Sequence, residues 1–206
     1  MEFVKEIKSR YKIGEPIYTK DLVKHFSTSR QNIMDNLRRS VKNGDIRRMM
    51  QGVYYIPKKE VIYGIEIDNA PSSEVVVEDK YIGRGKDRFG IYGGTILKNK
   101  LQLTEQLPAI ITIITNREKS NKRMVRIENT DHILQRPYTK INNKNYKAYM
   151  VAEVIRLNGI LSGKKNQIVK EFIKENKISR KQIEEVIKYF PKKTQNDYEI
   201  SEVWND

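Results

Sequence analysis

With 206 residues, 38% of them hydrophobic and 32% charged, the chain has the composition of a globular protein of one large domain or two small ones. The absence of cysteine excludes disulfides, thiolate zinc sites and cysteine nucleophiles, and fits a cytoplasmic protein. A net charge of +14 with a pI near 9.7 points to a polyanionic partner, bound with release of counterions.

The chain opens with MEFVKEIKSRY, which is amphipathic and not a signal sequence. No apolar run approaches the length of a membrane span, so no membrane partner is expected. Phe3, Val4, Ile7 and Tyr11 lie at helical spacing and predict a first helix over 2–11. Gly14-Glu15-Pro16 breaks it, and Ile17-Tyr18 reads as a short strand. Thr19 is expected to N-cap a second helix on Leu22, Val23 and Phe26. After the turn Ser27-Thr28-Ser29, Ser29 caps a third helix with an apolar stripe at Ile33, Leu37 and Val41. Gly44 suits a left-handed end to that helix. Arg47 and Arg48 then open a hairpin that turns at Gln51-Gly52 and returns through Val53-Tyr54-Tyr55-Ile56.

Helix, turn, helix and hairpin in that order describe a winged helix-turn-helix, a shape that reads DNA. The third helix leaves Arg30, Gln31, Asn32, Asp35, Asn36, Arg38, Arg39 and Lys42 on its outer face. Asn and Gln pair with adenine and Arg with guanine, so Arg30, Gln31 and Asn32 are the expected base readers. Arg38, Arg39, Arg47 and Arg48 are expected on phosphate, with Thr19, Ser29, Asn36 and Gln51 completing the candidate DNA-binding set. A solvated basic helix and a winged helix that binds only protein are the competing readings. The first sixty residues hold 14 Lys/Arg and 7 Asp/Glu, and the other 146 hold 26 and 19, so the charge is about twice as dense over this part.

The first domain is expected over 1–59, closing near Pro57 with a polar hinge at Lys58-Lys59-Glu60. Residues 61–71 read as irregular, and a helix runs from Ser72 through Val77 to about Ile82. The glycine-rich GRGKDRFGIYGG, 83–94, matches neither the dinucleotide fingerprint nor the P-loop and reads as a turn. A short helix at Thr95–Lys100 precedes the β-branched strand Ile110–Thr115. Strands at Arg123–Ile127 and His132–Gln135 complete an expected antiparallel sheet of hairpins, with a helix packed on it. The rest is helical. Tyr146, Tyr149, Met150, Val154 and Leu157 form one stripe, and Ile168, Phe172 and Ile173 another. Ser179 caps a helix carrying Ile183, Val186, Ile187 and Phe190, stopped by Pro191. Tyr198, Ile200 and Trp204 are apolar residues of the tail that can dock back. The fold class is therefore α+β, with an N-terminal winged helix-turn-helix, a mixed domain over 60–206 and a helical tail over about 160–206.

Catalytic readings find little footing. Glu78-Asp79-Lys80 with Asp68 loosely matches a magnesium-dependent nuclease, but falls on an expected helix and not on the strand such a site needs. GILSGKK, 159–165, departs from the Walker pattern in spacing and in its final residue. His25 and His132 are isolated. No catalytic, metal or cofactor-binding residue is assigned, and the chain is not expected to be an enzyme. The basic stretch Asn116–Arg126, with Arg117, Lys119, Lys122, Arg123 and Arg126, can extend a DNA contact, meet an acidic partner or stand solvated.

Two blocks carry a resemblance. NGDIRRMMQGVYYIPK fits the pattern G-x-I-x-R-x-x-x-G-x-Y-x-x-P at Gly44, Ile46, Arg48, Gly52, Tyr54 and Pro57. YGGTILKNKLQLTEQLPAIITIITN supplies Gly94, Asn99, Leu101, Leu103, Thr104, Gln106, Pro108, Thr115 and Asn116 of a second. Together, in this order, they resemble the AbiEi family of antitoxins and transcriptional regulators of type IV toxin–antitoxin systems, over residues 1 to about 160. The resemblance implies a repressor of its own operon, bound to double-stranded promoter DNA. Repressors of this shape often bind inverted repeats in pairs. It also implies a second domain that neutralises a nucleotidyltransferase-like toxin in phage defence, although some relatives act only as regulators. A DNA-targeted nuclease or modifying enzyme is the rival of another class.

Overall fold

The computed structural model describes residues 2–83, 85–127, 130–201 and 203–204. They form a mixed α+β structure in two compact units, Met1–Val76 and Val77–Asp206.

In the first unit, α1 (Glu2–Arg10) buries Val4 and Ile7. The chain reverses at Gly14, whose φ of +72° and whose approach to Asn69 leave no room for a side chain: a Cβ would stand 2.7 Å from the Asn69 carbonyl oxygen. Strand β1 (Ile17–Tyr18) leads into α2 (Thr19–His25) and, after Phe26–Ser29, into α3 (Arg30–Lys42). Strands β2 (Arg47–Met50) and β3 (Val53–Tyr55) follow, in a sheet of order β1-β3-β2 that is antiparallel throughout. The middle strand is buried at all three residues. Its neighbours Ile7, Ile17, Leu22, Ile33, Leu37 and Ile46 make the core, closed at one end by the Phe3 and Phe26 rings at 5.0 Å.

Several expectations need correction here. Helix α2 starts at Thr19 itself, with Tyr18 in the cap position, so Thr19 caps nothing. Val23 and Val41 are 39% and 36% exposed. Position 41 lies eight residues from Ile33, which turns it about 80° off the buried line. Ser40, seven residues on, takes the place: it is buried and its hydroxyl donates to the Asn36 carbonyl at 2.8 Å. Residues 61–68 are not irregular, although 69–71 are. Strands β4 (Lys59–Ile62) and β5 (Ile65–Asp68) form a hairpin that takes in most of the expected hinge. Its two-residue turn has Tyr63 and Gly64 both left-handed, at φ 53° and 78°. That is the hairpin geometry usually signalled by Asn-Gly, and a tyrosine in the first position hides it.

The helix α4 (Ser73–Val77) passes into a π-helical turn, Glu78–Ile82, in place of a continuous α-helix. In the second unit a 3-10 turn, Gly85–Asp87, is followed by β6 (Gly90–Gly93), α5 (Gly94–Lys100), β7 (Ile111–Thr115), β8 (Lys122–Ile127) and β9 (Thr130–Gln135). The glycine-rich stretch read as a turn thus contains a strand, while its Arg84 lies outside the described residues. The glycines are there for contact. A Cβ on Gly90 would stand 2.2 Å from the Tyr81 oxygen and 2.8 Å from the Ile114 oxygen. The sheet order is β6-β7-β9-β8, with β7 and β9 parallel. The expected antiparallel sheet is therefore mixed, because β8 follows β7 in sequence yet pairs with β9 at the far edge.

The helical part is built on α6 (Tyr146–Asn158), buried on most of its circumference and packed against α5, α8 (Arg180–Ile187) and α9 (Lys192–Ile200). Helix α7 (Gly163–Glu175) buries Val169 and Ile173. Ser179 and Gln182 form a capping box on α8. The tail docks through Tyr198 and Val203, both in the core, and through Trp204 packed against it, whose indole N–H donates to the Tyr198 hydroxyl at 2.9 Å, whereas Ile200 is 61% exposed. Within α6, Glu153 is fully buried and held by Arg156 at 2.7 and 2.6 Å. Burial raises its pKa against the pull of that guanidinium. Among the described residues no helix is long and apolar enough to cross a membrane.

Candidate nucleic-acid interface

The outer face of α3 is organised from both ends. At its start the Ser29 hydroxyl accepts the Asn32 backbone N–H at 3.2 Å, satisfying a donor that the first turn leaves open. The Asn32 side-chain amide donates to the Thr28 hydroxyl at 3.1 Å. At its end Gly44, φ +79°, donates to Val41 and Asp45 donates to Ser40, the two bonds of a Schellman motif. Between these ends stand the residues the sequence singles out. Arg30, Gln31, Asn32, Arg38 and Arg39 are exposed and Asn36 is half-buried.

One acid crosses that face. Asp35 accepts from the Gln31 amide at 3.2 Å with both oxygens and from Arg38 at 3.0 Å. The side chains of Arg30, Arg39 and Arg48 make no hydrogen bond or ion pair with the described residues. Their charges face water. The α3 surface is therefore a row of donors and cations interrupted by a single carboxylate.

The hairpin β2–β3 carries the rest. Its strand β2 is bulged between Arg48 and Met50, and its turn puts Gln51 in solvent beside Gly52 at φ +75°. Thr19 is tied to the same turn, since its backbone N–H donates to the Gly52 carbonyl at 3.0 Å. Its hydroxyl is buried and has no hydrogen-bond partner among the described residues. Arg47 and Arg48 differ. The Arg47 guanidinium is bonded to the Asp68 carboxylate on β5, which also accepts from the Tyr55 hydroxyl at 2.7 Å. Burial and then this bond raise the Tyr55 pKa. Arg48 is left to face solvent.

Sequence reasoning named Asp35 and Asp68 but missed their partners. Those of Asp35 were legible, since it stands four residues after Gln31 and three before Arg38, the spacing at which helical side chains meet. Those of Asp68 were not, because its meeting with Arg47 depends on the unrecognised β4–β5 hairpin. Glu153 had a signal too: Glu-x-x-Arg inside an otherwise apolar helix.

Elsewhere, Glu78, Asp79 and Lys80 lie on the π-helical turn. Among the described residues no group of three or more His, Asp or Glu side chains could share a metal ion. His25 is exposed. His132 is buried, its Nδ1 is 3.0 Å from the Thr130 carbonyl, and burial lowers its pKa. In the basic stretch, Arg117 donates to the Lys80 carbonyl and lies 3.9 Å over the Phe89 ring, and Arg123 is bonded to Glu118 at 2.9 Å. Lys119, Lys122 and Arg126 are exposed. No family model, curated protein or solved structure matches the chain.

Proposed function

We propose that residues 1–59 form a winged helix-turn-helix that binds double-stranded DNA, and that the chain represses its own operon. The observation that carries this reading is the Ser29-capped start of α3, where Arg30, Gln31 and Asn32 stand exposed on a helix capped at both ends. Recognition helices present base readers in their first turns, and these three side chain types make the bidentate pairs that distinguish guanine and adenine. Arg38, Arg39 and Arg48 flank them as phosphate contacts, and a net charge of +14 supplies the sequence-independent attraction. Asn32→Ala is expected to weaken binding to upstream DNA by about 1–3 kcal/mol and to relax specificity at one base position. Gel shifts on a set of single-base operator variants measure this. Equal loss on every variant would remove Asn32 from the base-reading set.

The resemblance to AbiEi proteins extends the proposal: residues 60–206 would neutralise a nucleotidyltransferase-like toxin encoded beside this gene. Co-expression of the full chain with the adjacent gene product tests it. Relief of growth arrest supports an antitoxin. Unrelieved arrest by a well-expressed chain leaves a regulator only.

A further inference from the structure

We propose that the open edge of β8 takes an extended, acidic segment of a partner protein as a fifth strand of the sheet. The proposal rests on the part of the reading above in which the second unit meets a protein, and is independent of the DNA contact.

The two edges of the sheet are treated differently. Strand β6 is flanked by the π-helical turn, α5 and α6. Strand β8 packs extensively, among the described residues, against β9 alone. The register shows which of its groups are spare. The Arg136 N–H donates to the Asn121 carbonyl at 3.3 Å, in line with the pairs Lys122↔Gln135 to Ile127↔Thr130. Residues of an antiparallel strand alternate between facing their partner and facing away. Residues 121, 123, 125 and 127 therefore bond β9, and Lys122, Met124 and Arg126 aim their N–H and C=O groups at the open edge. The same three side chains share one face and are exposed.

This edge is preorganised. Just before it, Glu118 is buried and accepts from the Ser120 hydroxyl at 2.6 Å, from the backbone N–H groups of Lys119 and Ser120 at 3.0 Å, and from Arg123 at 2.9 Å. The side chains of Lys122 and Arg126 make no ion pair with the described residues.

Charge selects the occupant. Two β8 edges meeting in antiparallel fashion would bring like charges together, so a second copy is disfavoured. Cations on an edge can also serve only to repel other strands. A guard of that kind has no use for Met124, 60% exposed between them. Phosphate offers acceptors alone and leaves the outward carbonyls of 122, 124 and 126 without donors. A peptide strand supplies both, with carboxylates opposite Lys122 and Arg126 and an apolar side chain opposite Met124.

The test uses the full chain, isotopically labelled, and an eight-residue peptide in which Glu alternates with Ile and Thr. Exchange of the Lys122, Met124 and Arg126 amides should slow by about tenfold with the peptide, while those of Arg123, Val125 and Ile127 stay as they were. Met124→Pro removes an outward donor without touching the β9 ladder, and should abolish binding. The pair K122E/R126E should switch preference to the matching Lys peptide by about tenfold, and carries the test if the proline variant fails to fold. Absence of protection at millimolar peptide, or equal protection by Glu and Lys peptides, overturns the proposal. Protection by random duplex DNA in place of the Glu peptide overturns it in favour of a nucleic-acid contact. Binding of K122E/R126E to upstream DNA is read in parallel, so that failure here is separable from failure of the DNA reading.

Discussion

Asp35 is the one acidic residue in α3, and neutralising it should strengthen DNA binding. Asp35→Asn keeps the shape and an acceptor for Gln31. It loses an ion pair with Arg38 whose side chains are 41% and 71% exposed. Exposed helix pairs of this kind are worth about 0.3–0.5 kcal/mol, so the fold should survive nearly unchanged. On DNA the carboxylate would face phosphates. A unit charge about 8 Å from a phosphate costs about 0.5 kcal/mol in water, reduced to roughly a third by physiological salt. Two or three phosphates then give about 0.5 kcal/mol, a two- to threefold gain, and more at low salt. The gain should be equal on operator and random duplex, because phosphate carries no sequence. Fluorescence anisotropy at two salt concentrations measures both. Glu185→Gln, an equal charge change at an exposed position of α8, is the control and should gain less. If Asp35→Asn gains nothing over that control, or binds more weakly, α3 does not face the phosphates.

Three further outcomes follow from particular contacts. Arg48→Ala should weaken binding to all duplexes alike and lower the salt slope by about one, whereas Arg47→Ala should chiefly lower the melting temperature of the first unit by stripping Asp68 of its cationic partner and leaving it only the Tyr55 hydroxyl; equal slopes for the two variants would contradict the distinction. Gly90→Ala drives a methyl into two backbone carbonyls and should cost at least about 1–3 kcal/mol, read as a fall in denaturation midpoint, with wild-type stability contradicting the packing. Burial raises the Glu118 pKa, but bonds from Ser120 and Arg123 outweigh it and leave the pKa lowered. A depressed carboxylate stabilises the fold above its unfolded pKa, about 4.3, and that share is lost as pH falls through the lower folded value. Glu118→Gln should therefore flatten the acid limb of melting temperature against pH, and an unchanged limb would refute it.

The elements that could be read in advance are those with local causes. Ser29 and Ser179 announce helix starts by their own side chains, Gly44 announces an end, and the β-branched run before Asn116 announces a buried strand. What escaped was set by partners distant in sequence. Gly90 reads as a turn residue until Tyr81 and Ile114 are seen to close on it. The parallel pairing of β7 with β9 depends on β8 moving to the far edge, which no local pattern encodes. The candidate interface was legible in its helix, where face and cap follow from spacing. In its hairpin the strands and the turn at Gln51-Gly52 were legible as well, but not the engagement of Arg47, which is claimed by an aspartate 21 residues away.

The central claim is that this chain recognises its own promoter. The direct measurement is a gel-shift titration of the full protein against its upstream DNA, at two salt concentrations, with random duplex as competitor. Tight binding that resists competitor and weakens steeply with salt is the predicted result. Weak binding that random DNA displaces at equal concentration would contradict it.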